Sequence, residues 1–336
     1  MTTTETAPRR GLSIFLLTPP EQNAGVSYEK TLAAIELAER AGFETAWLAE
    51  GHFAPIGLPS ALTLLAAATR STSSIRLGTA VVPLVFDSPL RVAETAAVVD
   101  ALSDGRLELG VGKSNGHGFS TTAFSAFGRS EDDRESLYAA AVAELKQALA
   151  GSVTVGGEEL PVYPHPGTLA DRLWQATGNR TTATEIGRAG DGLLLHRVAF
   201  DGDTGTVQSQ LIDVFLDAFT ADAAPRIGVS RALLVASSRE EAVRLIEQDI
   251  ERQPQLYRAL NSSSPADFLE KSNIAYGSPE QVVERLLSDP ALVRSTDYLF
   301  STALPIESTE FAESIQLIAD EIYPHLPVAA SIGVTA

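Results

Sequence analysis

Two short stretches carry side chains suited to chemistry. Glu50 ends a predicted strand, Thr45–Glu50, and His52 sits just beyond it. Histidine titrates near neutrality, so at that place it suits a general base or a hydrogen-bonding group. It would equally serve to brace its own loop. Glu50 is placed to hold His52, to line a ligand pocket, or to pair with an arginine. The second stretch, Thr177-Gly-Asn-Arg-Thr-Thr182, follows another predicted strand and opens a helix. Backbone amides at a helix start, with Asn179, Arg180, Thr181 and Thr182, make an anion site. Gly178 would let the backbone approach a phosphate closely. A plainly capped helix start would use the same residues. Lys113, in Gly112-Lys-Ser-Asn, follows a third strand, where a cation would meet a phosphate. His117 and Arg129 lie in a long loop and read as ligand contacts or as solvated loop residues. His165, His196 and His325 take no role, although His196 ends a strand.

Other chemistries are excluded or unsupported. The chain has no cysteine, which removes disulfides, thiol nucleophiles and thiolate metal sites. No His/Asp/Glu grouping has metal-ligand spacing. There is no Gly-x-Ser-x-Gly elbow, Walker loop or dinucleotide fingerprint.

The elements that must position these residues alternate strand, loop and helix. Strands are predicted at 12–17, 45–50, 75–82, 107–111, 172–176, 192–196, 227–236 and 297–301. Helices are predicted at 28–41, 60–72, 89–103, 131–150, 182–189, 207–219, 238–253, 278–287 and 310–322, with Thr182 and Glu185 spaced as a capping box. Eight short apolar strands separated by helices imply an all-parallel sheet covered by helices. The expected fold is α/β, a (β/α)8 TIM barrel, with a doubly wound open sheet as the alternative. Two stretches, 112–130 and 252–278, read as long loops, the second as a lid. Residues 1–10 read as a disordered tail, 11–326 as one domain, and 327–336 as a second tail.

Composition agrees with an enzyme of this class. The 336 residues are 44% hydrophobic, enough for a sizeable core, and the formal net charge is −18. Such a surface repels nucleic-acid phosphates and anionic membranes. No apolar run is long enough to cross a membrane, and a cytoplasmic location is expected.

An ordered series of motifs resembles the bacterial luciferase-like flavin-dependent monooxygenases. It comprises Ala41-Gly-Phe-Glu-Thr-Ala-Trp-Leu-Ala-Glu50 with Gly51-His-Phe53, Ile75-Arg-Leu-Gly-Thr-Ala-Val-Val82, and Leu102-Ser-Asp-Gly-Arg-Leu-Glu-Leu-Gly-Val-Gly112. Gly190-Asp-Gly-Leu, Tyr276-Gly-Ser-Pro-Glu280 and Ile322-Tyr-Pro324 continue it. The resemblance implies FMN at the C-terminal mouth of a barrel, its ring against Thr79, Ala80 and Val81, with the Ala80–Val81 peptide cis. It implies a phosphate held near Lys113 and the Gly178–Thr182 turn. It implies a homodimer through helices 60–72 and 89–103, and reduced FMN supplied by a separate reductase. The expected reaction is hydroxylation or epoxidation of a small organic molecule, as in natural-product tailoring. Relatives on this barrel use the deazaflavin F420 for hydride transfer, which stays open, as does a non-catalytic flavin-binding partner subunit. One departure matters. The family carries two adjacent histidines after the glutamate, whereas this chain has Gly51 and then His52, so luciferase-like aldehyde oxidation is not expected.

Overall fold

The computed structural model describes residues 11–19, 23–53, 57–114, 119–199, 202–252, 254 and 262–327. The expected tails lie outside the described residues except at Pro327, and so does His117. The strands are β1 (Gly11–Leu16), β2 (Thr45–Leu48), β3 (Arg76–Thr79), β4 (Val82–Pro83), β5 (Leu107–Gly112), β6 (Ser152–Val155), β7 (Glu158–Pro161), β8 (Leu173–Ala176), β9 (Gly192–Leu195), β10 (Ile227–Val235), β11 (Ile274–Gly277) and β12 (Asp297–Thr302). The helices are α1 (Ala24–Arg40), α2 (Ala61–Ala68), α3 (Pro89–Leu102), α4 (Phe119–Ala126), α5 (Arg134–Leu149), α6 (Arg180–Ala189), α7 (Thr204–Ala218), α8 (Arg239–Arg252), α9 (Pro265–Lys271), α10 (Pro279–Leu287) and α11 (Phe311–Leu317).

The hydrogen-bonded strand order runs β12-β1-β2-β3-β5-β8-β9, and β10 pairs both β9 and β12. This is the strand order of a (β/α)8 barrel, as expected from sequence. By contacts, the chain forms two compact units. One holds Phe15–Arg40 and Glu44–Thr177; the other takes Met1–Ile14, Ala41–Phe43 and Gly178–Ala336.

In the first unit, β2, β3, β5 and β8 pair in parallel, with Trp47 opposite Gly78 and Gly110 opposite Trp174. All six residues of β5 are buried, as a strand covered on both faces requires. Gly78 is needed for packing, because a Cβ there would come within 2.3 Å of the Trp47 ring. The N-terminal strand ends are fastened by polar side chains. Arg106 donates to the carbonyls of Ser103, Ile75 and Thr72 and to the Thr72 hydroxyl. Arg172 donates through both terminal nitrogens to Asp100, at 2.6 and 2.9 Å, and to the Leu107 carbonyl. The buried Glu108 carboxylate accepts from Trp174 Nε1 at 2.6 Å and from Arg76 at 3.1 Å. The Leu102–Gly112 motif is therefore largely a structural one. Asp104 and Gly105 turn the chain with positive φ of 55° and 82°, Arg106 clamps the turn, and Glu108 anchors Trp174.

In the second unit, β10 is buried along all nine residues and pairs in parallel with β9, β11 and β12. Capping is local and legible. Ser278 and Gln281 form a capping box on α10, and Gly190, at φ 72°, ends α6 in the left-handed conformation.

Several expectations are corrected. Asn179, and not Thr182 with Glu185, caps the helix after β8: its side chain accepts from the Thr182 amide, so α6 begins at Arg180. The stretch 112–130 contains α4. The described part of the expected lid is not loop. It supplies α9 and β11, and Leu269 and Ile274 pack with Ala232, Leu234, Ala242 and Ile246 in one core cluster. The β6–β7 hairpin was not foreseen, although Gly156-Gly157 between alternating residues is a hairpin signal. The predicted strand 75–82 breaks in two at Ala80–Val81.

Candidate functional site

Three neighbouring strands of the first unit, β2, β3 and β5, deliver residues at their C-terminal ends, the end at which barrel enzymes build sites. Beyond β2 the chain forms a pinned loop. Gly51 N donates to the Leu58 carbonyl and Gly57 N to that of Thr18. Glu50 Oε2 accepts from the Ala61 amide at 2.7 Å, closing the loop onto the start of α2. Among the described residues, Glu50 is joined to neither His52 nor an arginine by a hydrogen bond or ion pair. Burial, helped by the negative charge of Asp87, lifts its pKa to about 7, against the Ala61 amide, which favours the carboxylate. Burial also pushes the His52 pKa below its ordinary value, with Asp87 pulling the other way. The imidazole is therefore neutral at pH 7 and able to accept a proton. No hydrogen-bond partner meets the ring among the described residues. Its neighbours are the Phe127 ring at 4.8 Å and the Phe86 ring at 5.8 Å, both edge-to-face.

The raised Glu50 pKa has a direct consequence. Below its unfolded value of 4.5 the group is protonated in both states and costs nothing. Between 4.5 and about 7 the unfolded chain ionises first, so stability falls as pH rises, by up to about 1.4 kcal/mol per pH unit. Glu50→Gln keeps an acceptor for Ala61 and removes the charge. Urea unfolding across this window is expected to show a flatter pH dependence for Glu50→Gln than for the wild type; parallel curves would contradict the assignment.

Beyond β3, the Ala80–Val81 peptide bond is cis, at the position the resemblance implies. Thr79 is fully buried, and its hydroxyl donates to the Gly110 carbonyl at 2.8 Å while accepting from the Gly110 amide at 2.9 Å. That side chain joins β3 to β5, leaving the half-buried Ala80 and Val81 as the part a ligand could meet. Gly112 clears room for Val81: a Cβ at Gly112 would come within 2.6 Å of Val81 Cγ2. Lys113, just past β5, is buried and paired with Glu135 near the start of α5. It is thus already charge-compensated, and a phosphate there would share it with Glu135.

In the second unit, Asn179 is engaged as the cap and Thr182 is buried behind it. Arg180 and Thr181 are exposed in the first turn of α6, whose leading amides have no partner within the helix. A Cβ at Gly178 would meet nothing within 4 Å. That turn retains the open backbone an anion needs. Sequence reasoning missed Arg197. It lies two residues past β9, half-buried, with desolvation lowering its pKa and no acceptor for its guanidinium among the described residues. The signal was its position, directly after a strand end, as for His52.

Among the described residues no cluster of His, Asp or Glu could hold a metal ion, and no helix is long and apolar enough to cross a membrane. The chain's likeness to known proteins is consistent across its length. It covers 94% of itself and 99% of the monooxygenase RslO1 from Streptomyces bottropensis, at TM-score 0.77 and 26% identity. The oxygenating constituent of 3,6-diketocamphane monooxygenase from Pseudomonas putida, solved with FMN, matches at TM-score 0.74 and 17% identity over 97% of this chain and 100% of that one. The coenzyme F420-dependent tetrahydromethanopterin reductase of Methanopyrus kandleri matches at TM-score 0.65 and 15% identity over 96% and 100%. At these identities the last two share the fold alone. The family model for luciferase-like monooxygenases matches residues 10–290. The chain belongs to the luciferase-like monooxygenase family of oxidoreductases.

Proposed function

We propose that this enzyme is the oxygenase of a two-component system, taking reduced FMN from a separate reductase and inserting an oxygen atom into a small organic molecule. The observation that carries the reading is a neutral His52 set among phenylalanines at the strand ends, next to the cis Ala80–Val81 bond in the strand order. When bound, reduced FMN supplies the two electrons by which one oxygen atom enters the substrate and the other leaves as water. The protein's own part is to position, to exclude water and to handle protons. Phe86 and Phe127 pack edge-to-face on His52, and Phe124 packs behind Phe86, so one side of the imidazole is apolar, which strengthens polar interactions there. His52 Nδ1 or Nε2 takes or returns a proton at the reacting centre. Ala80 and Val81 offer a small, flat surface to the flavin ring. The first turn of α6, with Gly178, Arg180 and Thr181, is by itself suited to hold an anion such as a phosphate, through amides and a guanidinium.

Arg180→Ala is expected to weaken reduced-FMN binding about tenfold, measured by anaerobic titration. Unchanged affinity would remove Arg180 from the phosphate site. Supply of a reduced deazaflavin instead of FMN is the second reading, favoured by the likeness to the F420-dependent reductase. The homodimer belongs to this proposal too. Leu90, Val98 and Leu102 leave an apolar strip of α3 exposed, at 37%, 44% and 48%. Sedimentation equilibrium is expected to give twice the monomer mass, and Val98→Glu to shift it towards the monomer. A wild-type monomer would contradict it.

A further inference from the structure

We propose that the phenylalanine cluster around His52 is a substrate subsite for a neutral, planar aromatic molecule bearing a hydroxyl or carbonyl group. This rests on the reading above that substrate is oxidised at the C-terminal ends of β2, β3 and β5. The cluster draws its rings from the segments that follow β2, β4 and β5: Phe53 after β2, Phe86 after β4, and Phe124 and Phe127 after β5. Phe124 is buried at 1% exposure and packs edge-to-face on Phe86 at 4.8 Å, forming the base. Phe86 in turn stacks on Phe127 at 5.2 Å, with the planes 16° apart. Phe53 approaches Phe127 at 6.4 Å and 63°.

The outer two rings are not covered. Phe127 is 42% and Phe53 55% exposed, and Phe53 is held there by a backbone φ of 61°, which L residues rarely adopt. Large exposed apolar groups gathered at a strand-end site mark a ligand surface rather than a core. The space beside them is open as well. A Cβ at Gly51 would meet nothing within 4 Å, so the absent side chain leaves room adjacent to His52.

The chemistry of the occupant follows from these groups. Aromatic rings at mutual angles offer faces and edges, which favour another π-system over an alkyl chain. Phe127 is already covered on one side by Phe86, and its exposed part suits stacking of a third flat ring. Asp87 lies close enough to perturb both Glu50 and His52, and it disfavours an anion. His52 is neutral and without a hydrogen-bond partner among the described residues, so it can bond a hydroxyl or carbonyl on the bound ring.

The test is calorimetric titration of the full-length chain, without cofactor, using 2-naphthol, with 1-decanol as the alkyl comparison. Phe127→Leu and Phe53→Leu keep apolar bulk and remove the ring; both positions are exposed, and melting curves check the fold. The wild type is expected to bind 2-naphthol more tightly than 1-decanol. Each leucine variant is expected to weaken 2-naphthol about fivefold and the double variant more, with 1-decanol unchanged. Equal affinity for the two probes, or 2-naphthol binding unaffected in the double variant, overturns the proposal. Reduced-FMN titration of the same samples separates the two claims. Loss of FMN binding with the naphthol pattern intact defeats the oxygenase reading alone, whereas normal FMN binding with an indifferent naphthol response defeats the subsite alone.

Discussion

Asp289→Ala is expected to lower the unfolding free energy by about 3 to 5 kcal/mol. Asp289 Oδ2 accepts from Arg231 Nε at 2.7 Å, and Oδ1 accepts from the amides of Ala291 and Leu292, both at 3.0 Å. Arg231 projects from the buried strand β10 and is itself 2% exposed. Its Nη1 donates to the Ser230 carbonyl, while Nη2 is buried with no partner among the described residues. Alanine at 289 would leave a guanidinium out of water without its hydrogen-bonded carboxylate, and two amides without an acceptor. Arg231→Met combined with Asp289→Leu removes both charges, so the double variant is expected to be more stable than Asp289→Ala. Urea unfolding with a shared slope is the measurement. A loss below about 1 kcal/mol for Asp289→Ala would mean the pair is solvated.

His52→Ala is expected to slow oxygen consumption by the reduced-FMN-loaded protein about a hundredfold, the magnitude of a lost acid–base group. Reduced-FMN affinity is expected to change far less. His52→Gln separates two roles, because glutamine can hydrogen-bond but does not titrate near neutrality. The wild-type rate is expected to fall on the acid side below pH 6.5, since burial lowers the His52 pKa from that value. The glutamine variant is expected to lose this limb. If affinity collapses while the rate at saturating FMN holds, His52 is a binding residue.

How far the sequence led can be judged residue by residue. The eight barrel strands were legible because each is a short apolar run between turn residues, and burial on both faces requires that pattern. Gly42 and Asp104-Gly105 marked helix ends because only particular residues tolerate positive φ there. The cap of α6 was misplaced because Asn179 and Thr182 are both good caps, and only coordinates reveal which side chain reaches an amide. The segment holding α9 and β11 read as loop because Asn261-Ser-Ser-Ser-Pro265 carries turn chemistry; the apolar spacing of Phe268, Leu269 and Ile274 was too sparse to outweigh it.

The site was legible in position more than in partnership. His52 could be placed by its distance past a strand, and the 79–81 segment by the family resemblance. That Glu50 would cap α2, that Thr79 would be consumed by Gly110, and that Lys113 would meet Glu135 are long-range outcomes of the fold. The phenylalanines escaped notice because they lie far apart in sequence, and no periodicity links Phe53, Phe86 and Phe127. Arg197 escaped because a lone arginine after a strand has no motif.

The central claim is that this barrel takes reduced FMN. Anaerobic ultrafiltration of the purified chain with reduced FMN, and separately with reduced F420, tests it most directly. Retention of reduced FMN at least about tenfold tighter than F420 is the predicted result. Retention of F420 with reduced FMN passing through would contradict the account.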